Sequence, residues 1–148
     1  MSFKTTIAAT VSLSLLSFGA FAQDSPQEQR IAMMKASGGA FFTMLKMIRG
    51  ESDYDADKVM ESLAVVNTSM ETFGDLFPEG SETGFETRAK AEIWSDREGF
   101  DQIIADLAAS SAAAIAAAPQ SVAELQPLFG AMGESCGGCH DDYRVPKE

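Results

Sequence analysis

Apolar residues recur every three or four positions along four long stretches of this chain, which is the periodicity of amphipathic helices. The first two stretches run from about 26 to 49 and from about 55 to 73, with a short polar turn between them. The third runs from about 96 to 118, and the fourth begins after Ser121. No stretch shows the alternation with a period of two that marks a β-strand. The pattern therefore predicts an all-α protein, an antiparallel four-helix bundle.

The ends of these stretches carry helix signals. Pro26 suits the first turn of a helix, and Gly50 lies where the first helix is expected to stop. Ser95 and Ser121 each precede a glutamate by three positions, a spacing that predicts capping boxes at the third and fourth helices. Pro127 lies inside the fourth stretch, so we expect its first turn to be separate or bent.

The apolar stripes predict which helix faces form the core. The seam of the first helix and that of the second both advance by threes and fours. Their members are Ile31, Met34, Gly38, Phe41, Leu45 and Ile48 on the first helix, and Val59, Leu63, Val66, Met70, Phe73 and Phe77 on the second.

The connection from Pro78 to about Ser95 is rich in turn-forming glycine, serine and threonine. A connection of this length usually has a function or covers an apolar surface. It also contains Trp94, the only tryptophan of the chain. We expect Trp94 to pack in the core or against a cofactor, as large aromatic side chains usually do.

Two cysteines and a histidine near the C-terminus, Cys136, Cys139 and His140, form the sequence C-x-x-C-H. This spacing is the attachment signature of c-type haem. On a helix the three side chains share one face, so two thiols can bond one edge of a porphyrin while the imidazole binds its iron. No other cysteine or histidine occurs in the chain. The motif therefore predicts one covalently bound haem c on the C-terminal helix.

Other uses of the cysteine pair fit less well. A disulfide between cysteines three positions apart closes a very small loop and stabilises little. A thioredoxin-like redox pair is expected in a βαβ context, and zinc requires four ligands that the chain cannot supply. A helical bundle without haem, in which the pair acts as a thiol switch, stays as an alternative.

Residues 1–22 have the features of a secretory signal peptide: Lys4, an apolar stretch from Ile7 to Phe21, and the small-x-small pattern ending at Ala22. The apolar stretch is short for a membrane span, and we expect no other segment to approach spanning length. Bacteria attach haem c outside the cytoplasm. We therefore expect cleavage after Ala22 and a soluble periplasmic domain, residues 23–148, with no membrane span.

The chain is acidic, with a formal net charge of −11, and the mature form is more acidic still because Lys4 is the only charged residue of the leader. Such a surface argues against nucleic acid or anionic membrane as a partner. It is compatible with basic redox partner proteins, although acidity also keeps a small secreted protein soluble. Once His140 binds iron, no arrangement of catalytic groups is left, so we do not expect an enzyme.

With these residues in place, the chain resembles class II c-type cytochromes, namely cytochrome c′ and its low-spin relatives of the c-556 type. These proteins carry C-x-x-C-H on the last helix of a four-helix bundle. The resemblance covers the whole of 23–148. It rests on Arg30-x-x-x-Met34-Lys35, Gly38-Gly39, Gly50, Leu76-Phe77-Pro78, Glu92-Ile93-Trp94 and the final CGGCHDDYR.

The resemblance implies a role for several residues. Cys136 and Cys139 would carry the thioether bonds, and His140 would be the proximal iron ligand. Arg144, four positions later, would lie over the imidazole and shield or tune it, besides pairing with the helix dipole. Arg30 would lie near a haem propionate, the alternative being an ordinary solvated charge.

The resemblance also places Met34 on the distal side of the iron. In the low-spin relatives a methionine there ligates iron, and His140/Met34 ligation implies a one-electron carrier. In typical cytochrome c′ the residue there does not coordinate, and the iron is five-coordinate, high-spin and open to nitric oxide or carbon monoxide. Met34 would then be a steric gate or part of the core, and Met33 could replace it if the helix were rotated. Many members of the family form homodimers, so we count a homodimer among the expectations.

Overall fold

The computed structural model describes residues 24–146, and the expected signal peptide with its cleavage site lies outside them. Within this range the only β-pairing is an isolated bridge between Ala89 and Arg144. The prediction of an all-α fold is therefore confirmed. The helices are α1 (Pro26–Ile48), α2 (Ala56–Phe73), α3 (Glu92–Ser95), α4 (Arg97–Ala117) and α5 (Val122–Tyr143), with a 3₁₀ turn at Gly74–Leu76.

The four long helices form a bundle around one apolar core. Helix α2 packs along both α1 and α4, and α4 packs along α5, whereas α1 and α5 touch over a much smaller area. The predicted stripe of α2 is buried from Val59 to Phe77, as its spacing indicates. Burial of such stripes supplies most of the stability of helices that would be marginal alone.

Helix α1 begins and ends where the sequence signals predict. Pro26 occupies the first turn, and Ser25 and Glu28 form a capping box: the Ser25 Oγ accepts from the Glu28 N–H at 3.3 Å, and the Ser25 N–H donates to the Glu28 carboxylate at 2.9 Å. After the helix, Gly50 has a φ of 71°. Its N–H and that of Glu51 bond back to carbonyls of the last turn, which is the Schellman arrangement that glycine favours.

The cap of α4 differs from the prediction. Ser95 ends the one-turn helix α3, and Asp96 caps α4 instead. The Asp96 carboxylate accepts from the Gly99 N–H at 3.3 Å and from the Tyr143 hydroxyl at 2.7 Å. A carboxylate at a helix N-terminus also interacts favourably with the helix dipole, which a serine does not.

Helix α5 is continuous from Val122 to Tyr143, so of the two expectations for its first turn, separate or bent, the separate turn is not formed. Ser121 caps the helix through the Glu124 N–H at 3.3 Å, but the Glu124 carboxylate accepts from the Gln120 N–H, so only half of the predicted box is made. Pro127 deprives the Ala123 carbonyl of its helical partner. Both residues are exposed, so water can hydrate that carbonyl.

The apolar face predicted for α1 agrees only in part with the face that the structure buries. Ile31, Met34 and Phe41 are half-buried and Gly38 is exposed, and these four residues line a cavity. Met34 and Phe41 also pack against the edge of the core. The fully buried face of α1 is rotated from that seam and includes polar side chains. Its members are Gln27, Arg30, Ser37, Ala40, Met44 and Met47.

Of the described helices, α4 is the one that is long and apolar enough, by length and composition, to cross a membrane. The expectation that no other segment approaches spanning length is therefore wrong for α4. A core helix can pass the same test. Phe100, Ile104 and Leu107 of α4 are buried, and the helix packs against α2 and α5.

Candidate haem-binding cavity

A cavity of about 670 Å³ lies among α1, α2, α4, α5 and residues 86–93 of the long connection. Its volume falls in the range of sites for small molecules and cofactors, about 300–1,000 Å³. Its lining is predominantly aliphatic and aromatic, so it would exclude water from a bound group. The aromatic and large aliphatic members are Ile31, Phe41, Val66, Phe73, Phe77, Ile93, Phe100, Ile103, Ile104, Leu107, Phe129 and Tyr143.

The C-x-x-C-H residues lie together on the wall that α5 contributes. Cys136, Cys139 and His140 all line the cavity and are half-buried. Neither cysteine forms a disulfide. Burial raises the pKa of Cys136 and, with the neighbouring Cys136 thiol and Asp142, raises the pKa of Cys139 to about 11. The pair therefore lacks the low pKa of a reactive redox thiol.

The imidazole of His140 is kept neutral by its surroundings. Burial lowers its pKa, and the positive charges of Arg144 and Arg88 lower it further against the opposing effect of Asp141. A neutral imidazole is the form that binds a metal ion. His140 is thus suited to an axial ligand role.

Arg144 lies near His140, as the helical spacing predicts, and its N–H donates to the His140 carbonyl at 3.3 Å. Helix α5 ends at Tyr143, and Arg144 has an extended backbone with φ −124° and ψ 130°. The chain there pairs with the long connection: the Val145 N–H donates to the Arg88 carbonyl at 2.8 Å. Arg88 and Arg144 both line the cavity. No sequence signal singled out Arg88, because it reaches the site only through this pairing.

Helix α1 supplies another wall, and Met34 lies on it. Its side chain is half-buried and lines the cavity, as do Ile31 and Phe41 of the same helix. Met33 packs against the core and does not line the cavity. The register of α1 therefore favours Met34 over Met33 as the methionine beside a bound group.

Arg30 is not an ordinary solvated charge, since it is only 5% exposed. Its guanidinium donates to the Leu76 carbonyl at 2.7 Å and to the Ser81 carbonyl at 3.0 Å, and it also bonds the Ser81 hydroxyl. Its Cζ lies 4.0 Å from the centroid of the Phe77 ring. Burial lowers its pKa, and Glu82 partly offsets this. Arg30 lines the cavity while holding the long connection against α1.

Trp94 does not line the cavity, although its neighbour Ile93 does. Its ring centroid lies 5.7 Å from that of Phe77, and the Arg30 Cζ lies 5.3 Å from the Trp94 ring. The indole N–H donates to the Pro78 carbonyl at 3.2 Å. Trp94 therefore packs one layer further out than Phe77 and Ile93, which line the cavity.

These residues fit a haem c group. Two neutral thiols and a neutral imidazole lie one helical turn apart on the wall of an apolar cavity of suitable size, and a methionine lies on the wall from α1. In the part of the chain that the structure describes, no group of three or more His, Cys, Asp or Glu side chains could hold a metal ion by itself. The C-x-x-C-H residues on the cavity wall are the set that attaches c-type haem.

Comparison with known proteins also indicates a haem c protein. A family model described as cytochrome c′ matches residues 25–144. The chain belongs to the cytochrome c′ family. It is 35% identical over 145 residues to a cytochrome c′ of Rhodopseudomonas palustris, covering 97% of this chain and 99% of the relative. It is 33% identical over 120 residues to a cytochrome c-556 of Agrobacterium tumefaciens, covering 81% of this chain and 97% of the relative.

Solved structures lead to the same family. The structure of cytochrome c′ from Rhodopseudomonas palustris superposes with a TM-score of 0.81 at 35% identity, covering 85% of this chain and 100% of that chain. Membership means that this protein carries covalently bound haem c with iron. Members of the family bind haem, are not classical enzymes and are generally periplasmic.

Proposed function

We propose that this protein is a periplasmic one-electron carrier in which His140 and Met34 are the two axial ligands of the haem iron. The observation that carries the proposal is the position of Met34, which lines the cavity on α1 while the C-x-x-C-H residues line it on α5. A bound haem supplies an iron centre that changes its charge by one electron. Histidine and methionine ligation is a known arrangement in electron-transfer cytochromes and raises the reduction potential.

The residues of the C-x-x-C-H motif would hold the group covalently and from one side. Cys136 and Cys139 would form the two thioether bonds that hold the haem to α5. His140 would bind the iron through a neutral imidazole. Arg88 and Arg144 place positive charge near that imidazole, which stabilises the more reduced state of a neighbouring centre.

The apolar walls would keep water from the group. Phe73, Phe77 and Phe100 form a continuous aromatic contact, with ring centroids 5.1 Å apart for the first pair and 4.8 Å for Phe77 and Phe100. All three line the cavity. Burial in such surroundings is one of the ways in which a protein sets a haem potential. We propose no catalytic residue, so the protein would not be an enzyme.

A second candidate function is the binding of nitric oxide or carbon monoxide. It is favoured by the name of the Rhodopseudomonas relative, a cytochrome c′, at 35% identity. In this alternative Met34 does not coordinate and acts as a gate beside a five-coordinate, high-spin iron. The two functions make opposite predictions for the iron spin state.

Optical and electron paramagnetic resonance spectra of the purified holoprotein test the proposal. We expect a low-spin ferric signal in the unaltered protein, and a high-spin signal after Met34→Ala because one axial ligand is lost. Met33→Ala is the matched control, since Met33 does not line the cavity, and it should leave the spectrum unchanged. A high-spin signal in the unaltered protein would contradict Met34 ligation and favour the gas-binding alternative.

The leader and the assembly belong to the same proposal. We propose cleavage after Ala22, a soluble mature domain of residues 23–148, redox proteins as partners, and a homodimer. Mass spectrometry of the periplasmic fraction checks the first point, because the mature mass must equal 23–148 plus one haem. A protein retaining residues 1–22 would contradict it.

A further inference from the structure

Tyr143 is a buried phenol beside the haem cavity, and its hydroxyl is paired with a carboxylate. It is the last residue of α5, one helical turn after Cys139 and His140, and it lines the cavity while being only 6% exposed. Its ring packs against that of Phe100, with the two centroids 5.2 Å apart. A group that fills the cavity would therefore lie beside this ring.

The hydroxyl of Tyr143 has a proton acceptor within reach. It donates to the Asp96 carboxylate at 2.7 Å, inside the range of about 2.6–3.2 Å over which a base can take a proton. Asp96 is an exposed residue at the N-terminal cap of α4, so a proton received there can pass on to water. One hydrogen bond thus connects the wall of the apolar cavity with solvent.

The other tyrosine of the chain and its tryptophan lack this arrangement. Neither Tyr54 nor Trp94 lines the haem cavity. The Tyr54 hydroxyl donates to the Pro119 carbonyl at 2.6 Å, and the Trp94 indole N–H donates to the Pro78 carbonyl at 3.2 Å. An amide carbonyl accepts a hydrogen bond but is too weak a base to take the proton.

The pairing with a carboxylate matters for the redox chemistry of a phenol. Loss of an electron makes the phenolic proton strongly acidic, and a positive charge left on a buried ring would be costly. A carboxylate in hydrogen-bond contact removes that charge by accepting the proton. Tyr143 can therefore lose an electron and a proton together, whereas the phenylalanine rings around it have no proton of this kind to lose.

We propose that Tyr143 donates an electron to the haem when hydrogen peroxide oxidises it, with Asp96 as the proton acceptor. The O–O bond of the peroxide breaks and takes up two electrons, one from the ferric iron and one from Tyr143. One oxygen leaves as water with both peroxide protons, and the other stays at the haem. Tyr143 becomes a neutral phenoxyl radical, and its proton moves to the Asp96 carboxylate.

This role goes beyond the proposed electron-carrier function and does not depend on Met34 ligation. It protects the covalently bound haem, because the second oxidising equivalent of the peroxide moves from the porphyrin to a side chain. From there a reductant in solution can remove it through the exposed side of the Tyr143–Asp96 contact.

The test uses the ferric holoprotein carrying Met34→Ala, which opens the iron to peroxide whichever function is correct. The protein is mixed with hydrogen peroxide, frozen rapidly and measured by electron paramagnetic resonance, and a preparation with ring-deuterated tyrosine identifies a tyrosyl radical by its narrowed signal. We expect a tyrosyl radical that Tyr143→Phe abolishes. Tyr54→Phe is the matched control, since it removes one hydroxyl away from the cavity, and it should leave the signal unchanged.

Asp96→Asn tests the proton acceptor. Asparagine caps a helix about as well as aspartate does, and it keeps an oxygen that can accept from Tyr143, but it cannot take up the proton at neutral pH. The helical circular dichroism should therefore be retained while the radical yield falls sharply. An undiminished yield would overturn the role of Asp96.

The role of Tyr143 would be overturned by a radical that survives Tyr143→Phe, or by haem absorption bands that respond to peroxide without a tyrosyl radical. Haem bands that do not respond to peroxide in the Met34→Ala protein would overturn it as well. None of these outcomes bears on the proposed function, which depends on the spin state of the unaltered protein and its change on Met34→Ala.

Discussion

Arg30 shows how much a single residue contributes to the wall of the site. Its guanidinium is almost entirely buried, where backbone carbonyls of Leu76 and Ser81 and the face of Phe77 replace the water it would otherwise bind. Hydrogen bonds from a charged donor are stronger than neutral ones. The same contacts hold the start of the long connection on α1, and hence hold one side of the cavity.

Replacing Arg30 with methionine should lower the free energy of unfolding by about 2–4 kcal/mol, because it leaves buried carbonyls without donors. Urea unfolding of the holoprotein, followed by circular dichroism, measures the change. Arg49→Met, at the C-terminal cap of the same helix, is the matched control. The Arg49 side chain is 60% exposed, so its loss should change the free energy by less than about 0.5 kcal/mol. Equal effects of the two variants would contradict the structural role of Arg30.

At the scale of elements, the C-terminal end of α5 is tied to the N-terminal end of α4. Asp96 caps α4 and also accepts the hydroxyl of Tyr143, the last residue of α5. Gly99 permits this approach, since a Cβ there would lie 2.5 Å from the Asp96 carboxylate and 2.7 Å from the Tyr143 oxygen. The link fixes the end of α5 three residues after His140.

This link should make stability depend on pH in the alkaline range. The hydrogen bond to Asp96, with burial, raises the pKa of Tyr143 from 10.0 to about 12. The folded state therefore holds the phenolic proton more tightly than the unfolded state does, and this stabilisation is complete below pH 10 and is lost as the pH rises towards 12. Tyr143→Phe should reduce the fall in unfolding free energy over that interval in urea titrations.

Tyr54→Phe is the comparison variant, because Tyr54 is the only other tyrosine and its pKa is also raised, by burial and by Glu124. Each variant should remove a separate part of the fall in unfolding free energy at alkaline pH. Identical pH profiles for Tyr143→Phe and the unaltered protein would show that the Asp96 contact does not contribute in solution.

For the molecule as a whole, the haem is part of the fold. The cavity has a volume of about 670 Å³ and lies where α1 and α5 make little contact. Without haem, the aliphatic and aromatic walls of this cavity have no packing partner, and unfilled apolar space lowers stability as its volume grows. Helix α5 also contains four glycines, which lower its intrinsic stability.

A variant that cannot attach haem, with Cys136→Ala and Cys139→Ala, should therefore lose cooperative unfolding and much of its helical circular dichroism. Addition of free haem should restore both, because the cavity rather than the thiols is the source of the defect. Haem-free protein with the full helical signal and a cooperative transition would contradict this prediction.

Local features of this protein were determined by the sequence alone. The number and limits of the long helices follow from periodicity and from end signals such as Pro26 and Gly50, which act within a few residues. The haem motif is equally local, since Cys136, Cys139 and His140 lie within one helical turn. These predictions required no knowledge of what packs against what.

Only the tertiary structure decided which residues surround the site. Arg30 and Ser37 look like surface residues in the sequence, yet both are buried, and the partners of Arg30 come from 46 to 51 residues away. Arg88 reaches the neighbourhood of His140 through pairing with the chain end, and Trp94 is kept from the cavity by Phe77. The physical reason is that burial depends on the segments that cover a residue, and those segments are distant in the sequence.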